Sequence, residues 1–286
     1  MVHSVLERLD PSHIVLDPQP YLYSTEALDP DYYAELAAAY PSLESVAGSG
    51  PLENNRAYLR QAREVIDNPE IPAIWRDFFA YHTSETFFRE MIAFWRAALD
   101  RVYPNLDTLL GTPVDQATIG LRSRGKEKAA ENKSADVMMD CQFGVNSPVK
   151  EKTAVRGPHV DDTHKLYAGL LYFRLPEDSV EGGDLVLYRA KEGSRYFQDG
   201  RRDIAERYVE PFRVVPYRAN TLVMYLNTPR SIHGVSPRAV TPLYRRYINL
   251  QCECYRLTEG EFFPVQRDAL GRIGSAVRRT LGLRDA

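Results

Sequence analysis

Apolar and polar residues alternate in two different rhythms along this chain, and the change falls near residue 136. Before it the spacing is helical. Asp29-Pro30 reads as an N-cap followed by proline at the first helical position, leading into a helix over 32–39, with Pro41 beyond its end. A second stretch over 74–102 carries Trp75, Phe78, Phe79, Phe87, Phe88, Met91, Phe94 and Trp95 at helical spacing. Such a stripe predicts a helical face packed on a sheet, with a ligand-pocket floor as the rarer use. From 137 onward the rhythm shortens to β-prone runs at 137–145, 167–173, 184–188, 212–215, 221–226, 232–235 and 246–255, with Gly182-Gly183 and Tyr217-Arg218-Ala219-Asn220 as breaks between them. Seven or eight short strands predict a sandwich or jelly roll. The expected fold is therefore mainly β with flanking helices (α+β). It forms one domain, with a largely helical part over 1–135, a β core over 137–256 and a helical return over 265–283.

Composition narrows this only a little. The chain has 286 residues, 44% hydrophobic and 26% charged, with a net charge of −3; this is ordinary globular usage and argues against a general nucleic-acid surface. No run approaches a membrane span and the N-terminus lacks a secretory pattern, so a cytoplasmic protein without membrane attachment is expected. Cys141, Cys252 and Cys254 lack disulfide or zinc-finger spacing and are expected as small buried hydrophobes. The charged, apolar-poor segment 122–133 reads as a solvated loop, or as a lid that supplies cations to an acidic substrate.

Candidate chemistry centres on Pro158-His159-Val160-Asp161. An imidazole and a carboxylate two residues apart on an extended segment point to the same side. A carboxylate buried beside a histidine needs a cation or strong donors. His233, in Ser231-Ile232-His233-Gly234-Val235, is far enough along to come from another strand. Together His159, Asp161 and His233 would form a two-His, one-carboxylate set, which leaves metal positions open and suits non-haem Fe(II) oxygenases. Asp162 and His164 are competitors in the same segment. His3, His13 and His82 lie outside it and are expected to be incidental.

A second clue lies in Arg245-Arg246-Tyr247-Ile248-Asn249-Leu250-Gln251-Cys252-Glu253-Cys254. Period-2 alternation puts Arg246 with Ile248, Leu250, Cys252 and Cys254, and Arg245 with Tyr247, Asn249, Gln251 and Glu253. A guanidinium on an apolar face calls for an anionic partner, either an acid from elsewhere in the fold or a small dicarboxylate held in bidentate fashion. This selects Arg246 over Arg245.

In order, Pro158-His159-Val160-Asp161, Leu170-Leu171-Tyr172-Phe173, Glu181-Gly182-Gly183-Asp184-Leu185, Asn220-Thr221-Leu222-Val223-Met224-Tyr225, His233-Gly234-Val235-Ser236-Pro237 and Arg246-Tyr247-Ile248 resemble the Fe(II)/2-oxoglutarate-dependent dioxygenases of the prolyl-4-hydroxylase-like branch. The resemblance covers about 137–255, and less surely a strand–helix entry near 21–41. It implies a double-stranded β-helix (jelly-roll) core with His159, Asp161 and His233 as catalytic iron ligands. It implies that Arg246 binds the distal carboxylate of 2-oxoglutarate, and that Tyr172 donates to that carboxylate. Gln142 and Asn146, on one β face, are candidates to contact cosubstrate or substrate. The stretch from His233 to Arg246 is longer than the family pattern, which leaves Arg245 or Arg238 as substitutes, and Ile248 stands where relatives carry a small or polar residue. The implied cofactors are Fe(II), 2-oxoglutarate and O₂, with ascorbate as a stimulant. The expected reaction is hydroxylation of an unactivated C–H bond in a small polar metabolite or natural-product intermediate. A protein or peptide target is the alternative within the class. A zinc-dependent hydrolase and a non-catalytic jelly-roll binding domain are the rivals outside it.

Overall fold

The computed structural model describes residues 2–124, 130–194 and 202–265. The expected C-terminal helix, and the middle of the charged 122–133 segment, lie outside the described residues.

The described residues of the helical half hold five α-helices: α1 (Pro30–Ala38), α2 (Leu43–Ala47), α3 (Ala73–His82), α4 (Glu85–Val102) and α5 (Leu106–Leu110). Asp29 caps α1 as expected, its carboxylate accepting from the N–H groups of Asp31 and Tyr32. The single stretch expected over 74–102 is two helices. Thr83 turns its hydroxyl back onto the Phe79 carbonyl, and the Ser84 hydroxyl accepts from Phe87 N–H to start α4 afresh. Side chains that compete for the backbone thus break a run that apolar periodicity alone leaves continuous.

Among the described residues ten strands make two sheets. They are β1 (Tyr21–Ser24), β2 (Ala57–Arg60), β3 (Ile119–Leu121), β4 (Val137–Asn146), β5 (Lys165–Tyr172), β6 (Leu185–Ala190), β7 (Val209–Val215), β8 (Thr221–Leu226), β9 (Ile232–Val235) and β10 (Arg245–Glu253). The larger sheet runs β1-β8-β5-β10-β4-β2, with β3 parallel on β4; the smaller runs β7-β6-β9. From β4 and β5 in the larger sheet the core passes to β6 and β7 in the smaller, and then alternates through β8, β9 and β10, a double-stranded β-helix arrangement.

The larger sheet is covered on both faces. On its outer face Phe143 of β4 packs against Trp75 (4.8 Å between ring centroids) and Phe79 (4.6 Å) of α3, so the aromatic stripe does serve as core. Ile248, Leu250, Cys252 and Cys254 belong to this helix-covered core. On the inner face Tyr172, Tyr225 and Tyr247 belong to a separate cluster with Leu185 and Leu187 of the smaller sheet. The three cysteines are buried and free.

Candidate metal centre and its cavity

His159 lies just outside the smaller sheet, on a segment that backbone hydrogen bonds tie to β9. His159 N–H donates to His233 O (2.8 Å) and His233 N–H donates to His159 O (2.9 Å). This close pairing depends on Gly234: a Cβ there would stand 2.9 Å from the Gly157 backbone. The two imidazole rings are consequently 4.2 Å apart between centroids. Asp161 faces them, with Oδ1 at 3.8 Å from His159 Nε2 and 3.9 Å from His233 Nε2.

Each histidine is oriented through its other nitrogen. Nδ1 of His159 lies 2.9 Å from Gly157 O, and Nδ1 of His233 lies 2.9 Å from Ser231 O. Donation to these carbonyls places the proton on Nδ1 and leaves Nε2 as an acceptor; that of His233 lies 2.9 Å from the Tyr225 hydroxyl, which a metal ligand would have to give up. Burial pushes both histidine pKa values down, so both are neutral near pH 7, as metal ligands must be. Burial alone would raise Asp161; the charge of Lys165 overcomes it and holds the carboxyl ionised. Oδ2 accepts from Lys165 Nζ (3.1 Å) and from Tyr225 Oη (3.0 Å), so Oδ1 is the oxygen turned toward the imidazoles.

The three ligand atoms lie within 4.8 Å of one another. A divalent transition metal about 2.1 Å from each ligand on one octahedral face needs neighbouring donors roughly 3 Å apart. The carboxylate–imidazole separations are less than 1 Å wider than that, so the donor set fits such an ion. Asp162 and His164 bond to each other instead (2.7 Å). His82 is buried among α3, α4 and the N-terminal segment, accepting from Val5 N–H (3.1 Å) and lying 2.8 Å from Phe78 O.

The triad opens into a cavity of about 520 Å³, walled by both sheets. Gln142 and Asn146 line it, as does Arg245, together with Tyr247, Asn249, Gln251 and Glu253 from the same edge of β10. Arg246 does not. It lies on the helix-covered face, where its Nε donates to Phe173 O (2.9 Å) and its guanidinium sits 5.0 Å from the Tyr40 ring. The apolar-face argument therefore selects an arginine that does not line the cavity. In this sheet the apolar side is the one under the helices, and a carbonyl and an aromatic face satisfy the cation there. The polar side is the barrel interior. Ile248 shares the outer face with Arg246, so its departure from the family pattern does not bear on the cavity.

Arg245 is buried at one end of the cavity. Its Nε donates to Gly183 O (2.9 Å), a carbonyl presented by the Gly182-Gly183 turn, where both residues have positive φ (84° and 82°). A Cβ on Gly182 would collide with Pro237 O at 2.0 Å. The guanidinium lies 4.7 Å from the Tyr172 ring and 4.9 Å from the Tyr247 ring. Among the described residues no carboxylate pairs with it. Arg245 Nη2, the Tyr172 hydroxyl and Asn146 Nδ2 are all buried without a hydrogen-bond partner, while Asn146 Oδ1 accepts from Arg245 Nη1 (3.3 Å). Two orphaned donors, on Arg245 and Asn146, thus stand on the cavity wall, with Tyr172 buried against the Arg245 guanidinium. Burial pushes the Tyr172 pKa up to about 12, which keeps its proton in place as a donor. Arg238, the other substitute, is committed to Asp178 (2.7 Å).

Farther along the wall Arg122 forms short contacts with Glu253 and lies 3.7 Å from Asp140, whose buried carboxyl is raised to about 6. Sequence reading left out Lys165, Tyr225, Arg122 and Glu253. The signal that would have found the wall residues is the unbroken polar row of Arg245, Tyr247, Asn249, Gln251 and Glu253 on a central strand.

No family model and no curated protein matches the chain. Similar solved structures include a prolyl-4-hydroxylase of Pseudomonas putida, at 15% identity and a TM-score of 0.41, covering 84% of this chain and 95% of that one. Another is the non-heme alpha-ketoglutarate-dependent carbocyclase SnoK from nogalamycin biosynthesis, at 11% identity and a TM-score of 0.48, covering 96% and 93%. A third is a prolyl hydroxylase from Trichoplax adhaerens in complex with a hypoxia-inducible-factor peptide, at 11% identity and a TM-score of 0.41, covering 86% and 90%. Among the described residues no helix is long and apolar enough to cross a membrane.

Proposed function

We propose that this protein is an Fe(II)/2-oxoglutarate-dependent dioxygenase that hydroxylates a C–H bond of a small polar molecule. The observation that carries the reading is the pairing, within one cavity, of a two-His, one-carboxylate set with a buried corner of unsatisfied donors around Arg245. Neutral imidazoles and one carboxylate leave several positions of a bound metal free. A carboxylate in the far corner would satisfy Arg245 Nη2, the Tyr172 hydroxyl and Asn146 Nδ2 together.

His159, Asp161 and His233 would hold Fe(II), which, together with 2-oxoglutarate and O₂, supplies an oxidant able to remove hydrogen from an unactivated C–H bond. The overall balance is substrate C–H plus 2-oxoglutarate plus O₂ giving substrate C–OH, succinate and CO₂. Arg245, Tyr172 and Asn146 anchor the distal carboxylate of 2-oxoglutarate and so fix the direction of its keto-acid end. Lys165 and Tyr225 keep Asp161 Oδ2 occupied, which leaves Oδ1 for the metal. Gln142 is held by Asp140 (2.6 Å) and Asn249 (2.8 Å), and its part is to shape the wall. Ascorbate would act from outside by keeping the iron reduced.

The test is equilibrium binding without oxygen. Anaerobic titration should give one Fe(II) per chain, and 2-oxoglutarate should bind measurably tighter to the metal-loaded protein than to metal-free protein. A zinc hydrolase would show no such preference for 2-oxoglutarate. A non-catalytic jelly roll would bind neither, and His159→Ala would leave its ligand binding intact.

A further inference from the structure

Three arginines stand on the cavity wall away from Arg245, and none is tightly committed. Arg124 follows β3, Arg156 precedes the His159 segment, and Arg202 runs alongside it, its carbonyl accepting from Val160 N–H (3.1 Å). Arg156 reaches only the exposed Asp203 (3.4 Å), and Arg202 only the half-exposed Asp162 (3.5 Å). Exposed pairs of this kind contribute little and exchange readily for a better anion. Among the described residues Arg124 pairs with no carboxylate, and it follows β3, which pairs with β4 of the larger sheet. Arg156 O accepts from Val235 N–H of β9 in the smaller sheet (2.9 Å). The two arginines therefore come to the cavity from different sheets.

The other wall cations are already paired. Lys165 is held by Asp161 (3.1 Å), and Arg122 by Glu253 with Asp140 behind it. Fe(II) and dianionic 2-oxoglutarate would neutralise each other, so loading the site leaves the surplus of guanidinium groups unanswered. A neutral or cationic substrate would have to bury its reactive end beside uncompensated positive charge.

From this we propose that the prime substrate is a small organic anion, a carboxylate or phosphate, whose acidic group is gripped by Arg124 and Arg156 while its C–H end faces the metal triad. This rests on the dioxygenase reading for what occupies the Arg245 corner. Arg202 stands at the rim, where it favours entry of anions. The charged 122–133 segment was expected to form either a solvated loop or a cation-supplying lid; its described first residues put Arg122 and Arg124 on the wall.

The experiment uses zinc-loaded protein saturated with 2-oxoglutarate, so that the Arg245 corner is filled. Hexanoate, hexyl phosphate and the neutral hexanamide are titrated by calorimetry at low and high salt. One or both anions should bind roughly tenfold or more tighter than the amide, as expected for a bidentate guanidinium contact. The preference should shrink in Arg156→Met and Arg124→Met and at high salt, but not in Arg96→Met, a remote surface control. Equal affinity for the anions and the amide, or no binding of any of the three, overturns the proposal. Failure of 2-oxoglutarate to saturate the protein at all is a separate result, and it overturns the dioxygenase reading instead.

Discussion

Replacing Arg245 and Arg246 one at a time separates two guanidinium groups that are adjacent in sequence and opposite in space. Arg245→Met removes the cation from the orphaned-donor corner while keeping an unbranched side chain between Tyr172 and Tyr247. A guanidinium–carboxylate pair in a dry site is bidentate, and each hydrogen bond to a charged group contributes about 1.5–3 kcal/mol. Water entering the emptied corner recovers part of this, so a net loss of about 3 kcal/mol is expected, or roughly a 100-fold weaker Kd for 2-oxoglutarate. Arg245→Lys keeps the charge but not the fork, and should fall between the two. Arg246→Met acts on the other face. It loses the Phe173 carbonyl contact and the Tyr40 ring, and should lower stability by about 1–3 kcal/mol while leaving cosubstrate affinity within about twofold. The assay is anaerobic calorimetry of 2-oxoglutarate on metal-loaded protein, with urea unfolding for stability. A cosubstrate defect in Arg246→Met and none in Arg245→Met would refute the assignment of faces on which the cavity rests.

Other outcomes follow from the same geometry. Lys165→Met strips the buried Asp161 of its cation, which should cost the metal-free protein about 3–5 kcal/mol. Zn(II) supplies the missing charge, so the metal-induced rise in Tm should be larger in the variant than in the parent, and an equal rise would rule out the role given to Lys165. Gly234→Ala forces β9 away from the Gly157 backbone and should abolish tight metal binding while the far-ultraviolet spectrum is kept; unchanged metal affinity would show that the His159–His233 pairing is not needed. His82 supplies a pH test. Burial lowers its pKa from 6.5 to about 3, so the unfolded chain takes up the proton first as pH falls. The stabilisation is present above pH 6.5 and is lost on descending toward 3, with about 1.4 kcal/mol gone by pH 5.5. Urea midpoints at pH 7 and 5.5 should therefore differ more in the parent than in His82→Gln.

The core strands were legible because seven runs carry β-prone residues between turn signals, and each is found within a few residues of its expected place. The clustering of His159, Asp161 and His233 was legible because His159 and Asp161 share a side even though their segment forms only isolated bridges. β2 and β3 carried no comparable signal: they are short, half-buried at best, and take their place from pairing with β4. Arg246 lies off the cavity for a physical reason. Alternation separates two faces but does not say which is the cavity, and a β-helix core can keep its apolar face under helices and its polar face inside. Lys165 and Tyr225 were invisible because their role depends on reaching Asp161 from β5 and β8, which no local pattern encodes.

The most direct test is to supply purified protein with Fe(II), ascorbate, O₂ and 2-oxoglutarate, and to measure succinate and CO₂. The dioxygenase reading predicts equal amounts of both, slow without a prime substrate, dependent on iron, and lost in Asp161→Ala. No succinate above background from protein shown to hold one Fe(II) per chain, or undiminished succinate from Asp161→Ala, would contradict it.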